Sequence, residues 1–183
     1  MSNLKSKNMS IIKSEKLIHE SVIDVAKKMI IAAKTAPKGR GIESLSYLLV
    51  TGKELGFISE KMIEISKKNK VEFFARDAAN LVKSNALILI GTNYNSRNVP
   101  LCKGCSFGCE EKPKNVPCSV AITDLGIALG SAVSIASQFH VDNRIMFSVG
   151  VAAIKLKLFP PSIKTAYGIP LSISEKNIFF DRK

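Results

Sequence analysis

Between Ala86 and Ile90 the chain reads Ala-Leu-Ile-Leu-Ile and is stopped by Gly91. A run this short, with apolar residues at every position, describes a strand buried on both faces rather than one with a wet side. Covering layers are then needed above and below, which predicts a sheet flanked by helices. The run leads through Tyr94, Asn95, Arg97 and Asn98 straight into the stretch from Cys102 to Cys118.

That stretch holds all four cysteines, Cys102, Cys105, Cys109 and Cys118, in the spacing C-x2-C-x3-C-x8-C. Thiolates converging from one short loop are a soft-metal ligand set, and Gly104 and Gly108 supply the backbone freedom that lets them turn inward. Structural zinc sites pair two knuckles at a longer separation. Three bunched ligands with one remote are closer to ferredoxin-type ligation, although the bacterial run has two residues where this chain has three between Cys105 and Cys109. Spacing therefore favours an iron–sulfur cluster, of the 4Fe–4S kind, with zinc as the alternative. Cys118 follows Pro117 at the start of a long helix, where the helix dipole favours a negative sulfur. Lys103, Lys112 and Lys114 surround the loop, either to dock an electron-transfer partner or simply to solvate it.

The remaining elements follow in order. Ile18, Val22, Val25, Met29 and Ala33 recur at helical spacing over Ser14–Lys34, ended by the loop Thr35-Ala36-Pro37-Lys38-Gly39-Arg40-Gly41, which could hold an anion. Leu45–Thr51 is a strand by its β-rich composition. A helix capped by Ser59 follows, closed by Lys67, Lys68 and Lys70, and Phe73–Lys83 is another. Ser119–Gln138 is a long helix in which Gly126, Gly130 and Ser134 line one face. Interior glycines cost about 1 kcal/mol each, so close approach of a second helix, a partner's copy of the same helix, or a cofactor ring is expected there. Asp142 is expected to cap a helix over 143–156, and Ile163–Ile173 to be an edge or terminating strand. The adjacent Phe179 and Phe180 must dock on something, a partner subunit included.

At 183 residues, 46% hydrophobic and 23% charged, this is one domain, read as a flexible tail over 1–14 and a single unit over 15–183 carrying the 102–118 loop. The net charge of +12 rests mostly on lysine, with only five arginines among 27 basic residues, which points away from base-specific nucleic-acid reading. The lysine-rich start lacks a secretory core, so a cytoplasmic location is expected, and clustered cytosolic cysteines argue for metal over disulfides. Cys118–Phe139 is long enough to span a bilayer but too polar all round, so a buried core helix is expected. His19 and His140 have no partner at metal or triad spacing, and no Walker, H-E-x-x-H or G-x-S-x-G motif occurs.

Six stretches together resemble a known prokaryotic family. They are Ala33–Gly41, Phe74–Ala78, the cysteine loop, Ala121–Ala128, Val141–Met146 and Tyr167–Leu171. On these the chain is identified as a member of the uncharacterised ferredoxin-domain-containing proteins, which are similar in layout to flavin-dependent nitroreductases. The resemblance implies an α+β, nitroreductase-like fold, a homodimer, and flavin mononucleotide (FMN) at the subunit interface. By the same resemblance Lys34, Lys38, Arg40 and Arg182 would grip the flavin phosphate, although the arginine–serine start of nitroreductases is missing. The expectation is an iron–sulfur redox or electron-transfer protein, a flavin-dependent oxidoreductase if flavin is bound, with a redox partner protein and no membrane. The competing reading is a zinc-stabilised dimeric module using its lysines on an anionic partner such as RNA.

Overall fold

The structure, a computed structural model, describes residues 12–180. Four antiparallel strands form one sheet in the order β1-β2-β4-β3, with β1 Leu45–Thr51, β2 Ala86–Thr92, β3 Asp142–Asn143 and β4 Thr165–Ser172. Strand β2 lies inside the sheet, and every residue from Ala86 to Ile90 has 0% exposure. Its side chains alternate between two cores. Ala86, Ile88 and Ile90 meet α1 (Ser14–Thr35) and α4 (Ser119–Gln138), while Leu87 and Leu89 meet α2 (Glu54–Asn69), α3 (Glu72–Val82) and α5 (Phe147–Lys155). Burying each of the four large side chains contributes about 1.5–3 kcal/mol, which makes this strand the axis of both cores.

Helix α1 presents Val22, Val25, Ala26, Met29 and Ala33 to the first core and stops at Ala36, because Pro37 disfavours helix at the residue before it. Helix α4 is the one helix among the described residues long and apolar enough to cross a membrane. Its Leu125, Ala128, Leu129, Ala132 and Ala136 pack on α1 and the sheet, so it is a core helix, as the polar spacing predicts.

Several local expectations differ from the structure. Helix α2 begins at Glu54, and Ser59 lies buried inside it, donating its hydroxyl to the Ala78 carbonyl of α3 at 3.1 Å. The apolar period reaches back to Leu55, so Ser59 serves helix–helix contact rather than a cap. Asp142 caps nothing; it pairs with Ser172 in β3 and accepts from Asn177 Nδ2 at 2.9 Å, and α5 starts only at Phe147. Strand β4 is internal, not an edge, since the two-residue β3 covers its outer side. Of the paired phenylalanines, Phe179 docks into the second core of its own chain, and Phe180 stays exposed beneath the Arg144 guanidinium. The expected tail over 1–14 lies outside the described residues up to residue 11.

Candidate metal centre

The segment between β2 and α4 is a succession of tight turns. Backbone N–H groups of Cys102, Ser106, Glu111 and Val116 donate to the carbonyls of Val99, Lys103, Gly108 and Pro113, at 2.9–3.2 Å. Asn98, Leu101 and Ser106 adopt left-handed backbone (φ 49–65°), the conformation that lets one turn follow directly on another. Each turn starts or ends close to a cysteine, so the four thiols ride on a coiled loop rather than on a helix or strand.

All four cysteines are free, with Cys118 buried at 4% exposure and the other three half-buried. Cys118 sits at the amino end of α4 and its carbonyl accepts from the Ile122 N–H at 3.1 Å, which opens the helix. A side chain at Gly104 would overlap the Ser119 hydroxyl and lie 3.8 Å from Cys102 Sγ, so the Cys102 sulfur lies on the turn that folds against the first residue of α4, next in sequence to Cys118. No group of three His, Cys, Asp or Glu side chains among the described residues stands close enough to share one metal ion. The donor set nonetheless fits a soft centre, because it is all sulfur, reduced, and carried on a loop with no regular structure to break. Ser96 Oγ fastens the loop by donating to the Cys109 carbonyl at 3.2 Å, and Lys112 Nζ by donating to the Val116 carbonyl at 2.7 Å.

Beneath this loop lies a buried ion pair. Arg97 is 2% exposed and Asp124, the lone charge of α4, is 3% exposed. Arg97 Nε stands 3.5 Å from Asp124 Oδ2, and its Nη1 donates to the Asn95 carbonyl at 3.0 Å. Asp124 Oδ1 accepts from the Gly39 N–H at 2.8 Å, and Gly39 lies so near α4 that a Cβ there would overlap Val120. Arg40 Nη1 completes the tie by donating to the carbonyls of Arg97 and Asn98 at 3.4 and 3.1 Å. Three distant segments, the loop after α1, the lead-in to the cysteines and the first turns of α4, therefore meet around one ion pair. Arg97 Nη2 has no partner among the described residues. Sequence reasoning missed this pair, although a solitary acid on an apolar helix and an arginine in a lysine-rich chain were its visible signs.

The basic residues after α1 are held in place by protein acceptors. Lys38 Nζ donates to the Ala33, Lys34 and Ala36 carbonyls at 2.8–3.1 Å, closing the carboxyl end of α1. Lys34 Nζ pairs with Glu43 Oε2 at 2.6 Å and lies over the Tyr47 ring. Burial works against the Glu43 charge, but the Lys34 hydrogen bond, the Leu45 N–H and the Lys38 and Lys34 charges outweigh it and hold the carboxyl below its usual range. Burial, then the Glu43 charge and hydrogen bond, push the Tyr47 phenol up. Lys34 in the last turn of α1 and Lys38 and Arg40 on the loop after it are thus each held by different acceptors, and Arg182 is outside the described residues. His19 and His140 are both exposed.

The fold is that of the nitroreductases. It is similar to an oxidoreductase containing FMN (12% identity, TM-score 0.54, covering 91% of this chain and 70% of that one). It is also similar to a BluB-like flavoprotein from Clostridium difficile 630 (20% identity, TM-score 0.56, 97% and 87% covered). A nitroreductase with bound FMN from Desulfitobacterium hafniense DCB-2 matches likewise (15% identity, TM-score 0.54, 91% and 81% covered). In sequence, an uncharacterized protein of Archaeoglobus fulgidus is 35% identical over 174 residues, 90% of this chain and 93% of that protein. The family described as "uncharacterized protein containing a ferredoxin domain" (DUF2148) matches residues 114–182, a span that includes Cys118 and all of α4, α5 and β4. On a nitroreductase-like fold and with a relative matched nearly end to end, the chain belongs to the family of proteins containing a ferredoxin domain.

Proposed function

We propose that the protein is an iron–sulfur redox protein in which Cys102, Cys105, Cys109 and Cys118 hold a 4Fe–4S cluster. The observation that carries this reading is the loop itself: four free thiols on consecutive turns, with the Cys102 turn folded against the amino end of α4 that bears Cys118. The cluster would supply one-electron chemistry, with its potential set by charge, burial and hydrogen bonds to sulfur. This chain's part is to hold the sulfurs, to bury Cys118, and to place the exposed Lys103 and Lys114 where an acidic redox partner could dock.

Anaerobic purification should yield a brown protein with about four iron and four sulfide per chain, the composition of a cluster held by four cysteines. Cys118→Ser should lose most of that iron and the visible absorption with it. A colourless protein carrying one zinc per chain would sink the proposal in favour of a structural centre.

FMN is proposed as the second redox group on the strength of the fold, with Lys34, Lys38, Arg40 and Arg182 as candidates for its phosphate. Lys34 and Lys38 would have to exchange their present acceptors for it. Acid denaturation should then release a yellow fluorescent chromophore, and a purified protein without one would remove flavin from the reading.

A homodimer is proposed from α4. Gly126 and Gly130 have open space where a side chain would be, and Ser134 on the same face is exposed, so the face they share is available to a second copy. Sedimentation equilibrium should give twice 19.9 kDa, and Gly130→Leu should return the protein to monomer. A monomeric wild-type protein at micromolar concentration would overturn this.

A further inference from the structure

We infer that the cavity at the carboxyl end of β2 is a binding site for a small phosphate-bearing anion. The cavity measures about 390 Å³ and is lined by Tyr94, Asn95, Ser96, Lys112, Lys114, Ser162 and Lys164. Three lysines thus line one space with no carboxylate among the lining residues. None of the three is ion-paired with a described residue. Lys112 is half-buried and spends its protons on two neutral acceptors, the Pro113 and Val116 carbonyls, so its charge is hydrogen-bonded but uncompensated. Like charges gathered without a counter-charge repel one another, and an anion entering between them removes that repulsion as well as gaining its own attraction.

The walls are built for such a ligand. Tyr94 is fixed by the hydrogen bond between its hydroxyl and Thr165 Oγ1 at 2.9 Å, and Lys164 is anchored by its backbone N–H to the Thr92 carbonyl at 2.9 Å. Ser162 also lines the cavity, and its hydroxyl is a hydrogen-bonding group suited to phosphate oxygens. The nearby carboxylates lie elsewhere: Glu110 and Glu111 line a separate cavity with Cys102, Lys103 and Cys109. The volume lies at the small end of ligand cavities, which suits a phosphate, a pyrophosphate or a mononucleotide rather than a large cofactor.

Occupancy would reach the cysteines. Lys112 and Ser96 both line the cavity and both hold carbonyls of the cysteine loop, those of Val116 and Cys109. An anion that draws the Lys112 ammonium inward competes with the Val116 carbonyl two residues before Cys118. The inference does not depend on which metal the cysteines hold.

The test is calorimetric titration of the full-length protein at low salt with inorganic phosphate, pyrophosphate and AMP, each as its own arm. Saturable binding of pyrophosphate at one site per chain is expected. In K114Q/K164Q, both exposed positions, affinity should fall by about tenfold or more, the loss for removing two charge-assisted contacts. K67Q/K68Q, which removes the same charge at the far end of α2, should bind as the wild type does. K164R, which keeps the cation, should retain most of the affinity. AMP binding more tightly than phosphate would assign the anion to a nucleotide, and phosphate and pyrophosphate alone would assign it to free phosphates. No saturable binding in any arm, or an equal loss in K67Q/K68Q, would overturn the inference, the latter by showing diffuse attraction to a basic protein.

Discussion

Gly150→Ala is expected to leave little folded protein. Gly150 is wholly buried in α5, and a Cβ there would overlap the Ala166 carbonyl group of β4 and come within 2.7 Å of the Tyr167 nitrogen. These are backbone atoms of a strand paired here with Ile90 and Gly91 of β2 and flanked by the Met146–Gly168 bridge, so they cannot step aside as a side-chain tip would. Relief must come from lifting α5, which would pull Val149, Ala152 and Ala153 out of the second core. Overpacking usually costs about 1–3 kcal/mol, and a clash against fixed backbone belongs in the exceptional range above about 4 kcal/mol. Urea unfolding of Gly150→Ala beside Gly56→Ala gives the measurement. Gly56 in α2 has nothing within 4 Å of its missing Cβ, so alanine there should be neutral or stabilise by about 0.5–1 kcal/mol. Equal midpoints for the two variants would show that α5 does not rest on β4 as described.

Asp124→Ala is expected to be nearly as damaging, for an electrostatic reason. The substitution removes the carboxylate that pairs with Arg97, a guanidinium that is 2% exposed and already has one nitrogen without a partner among the described residues. It also strands the Gly39 N–H, which donates to Asp124. An uncompensated buried charge costs about 3–5 kcal/mol, whereas replacing both partners by apolar side chains of similar size is often neutral. The double variant Arg97→Met with Asp124→Leu should therefore recover most of the stability lost by Asp124→Ala. If the single variant cost less than about 1 kcal/mol, the value of an exposed pair, the guanidinium would have to be solvated and the junction looser than the geometry gives.

The two outcomes differ in what they do to the cysteines. Gly150 acts on the far core, remote in sequence from the cysteine loop. Arg97 and Asp124 join the lead-in to that loop with the helix that carries Cys118, so their loss should loosen the ligand set even where the fold survives in mild conditions.

Much of the fold was legible because it is periodic. Continuous burial of Ala86–Ile90 follows from an unbroken apolar run, and the α1 face follows from Val22, Val25, Met29 and Ala33 at helical spacing. The bounds of β1 at Leu45–Thr51 and of α4 at Ser119–Gln138 agree with composition and length alone. Errors arose where one residue type serves two purposes. Ser59 has the chemistry of a cap but answers a carbonyl of a neighbouring helix, and Asp142 has it too but stands in a short strand. Strand β4 contains Gly168 and Pro170, which suggests an edge, yet Pro170 pairs with Leu87 in the middle of the sheet. Neighbours far away in sequence decide such cases, and local propensity does not see them.

The glycines of α4 divide in the same way. Gly126 and Gly130 cost helix stability wherever they are, so the sequence alone demands a reason for them. Only the folded chain shows that the reason is not its own packing, since both face open space while Ala128 and Ala132 face the core.

By itself the sequence determined the chemistry of this protein: four sulfurs on one loop, a doubly buried strand leading into them, and a lysine-rich surface. Those are matters of residue type and spacing along the chain. The tertiary structure decided what that chemistry sits among, setting Asp124 between Arg97 and Gly39, and Lys112, Lys114 and Lys164 around one cavity. Burial and the sum of nearby charges depend on which distant segments pack together, and they determine whether an arginine is a solvated tip or the buried tie beneath a cysteine loop.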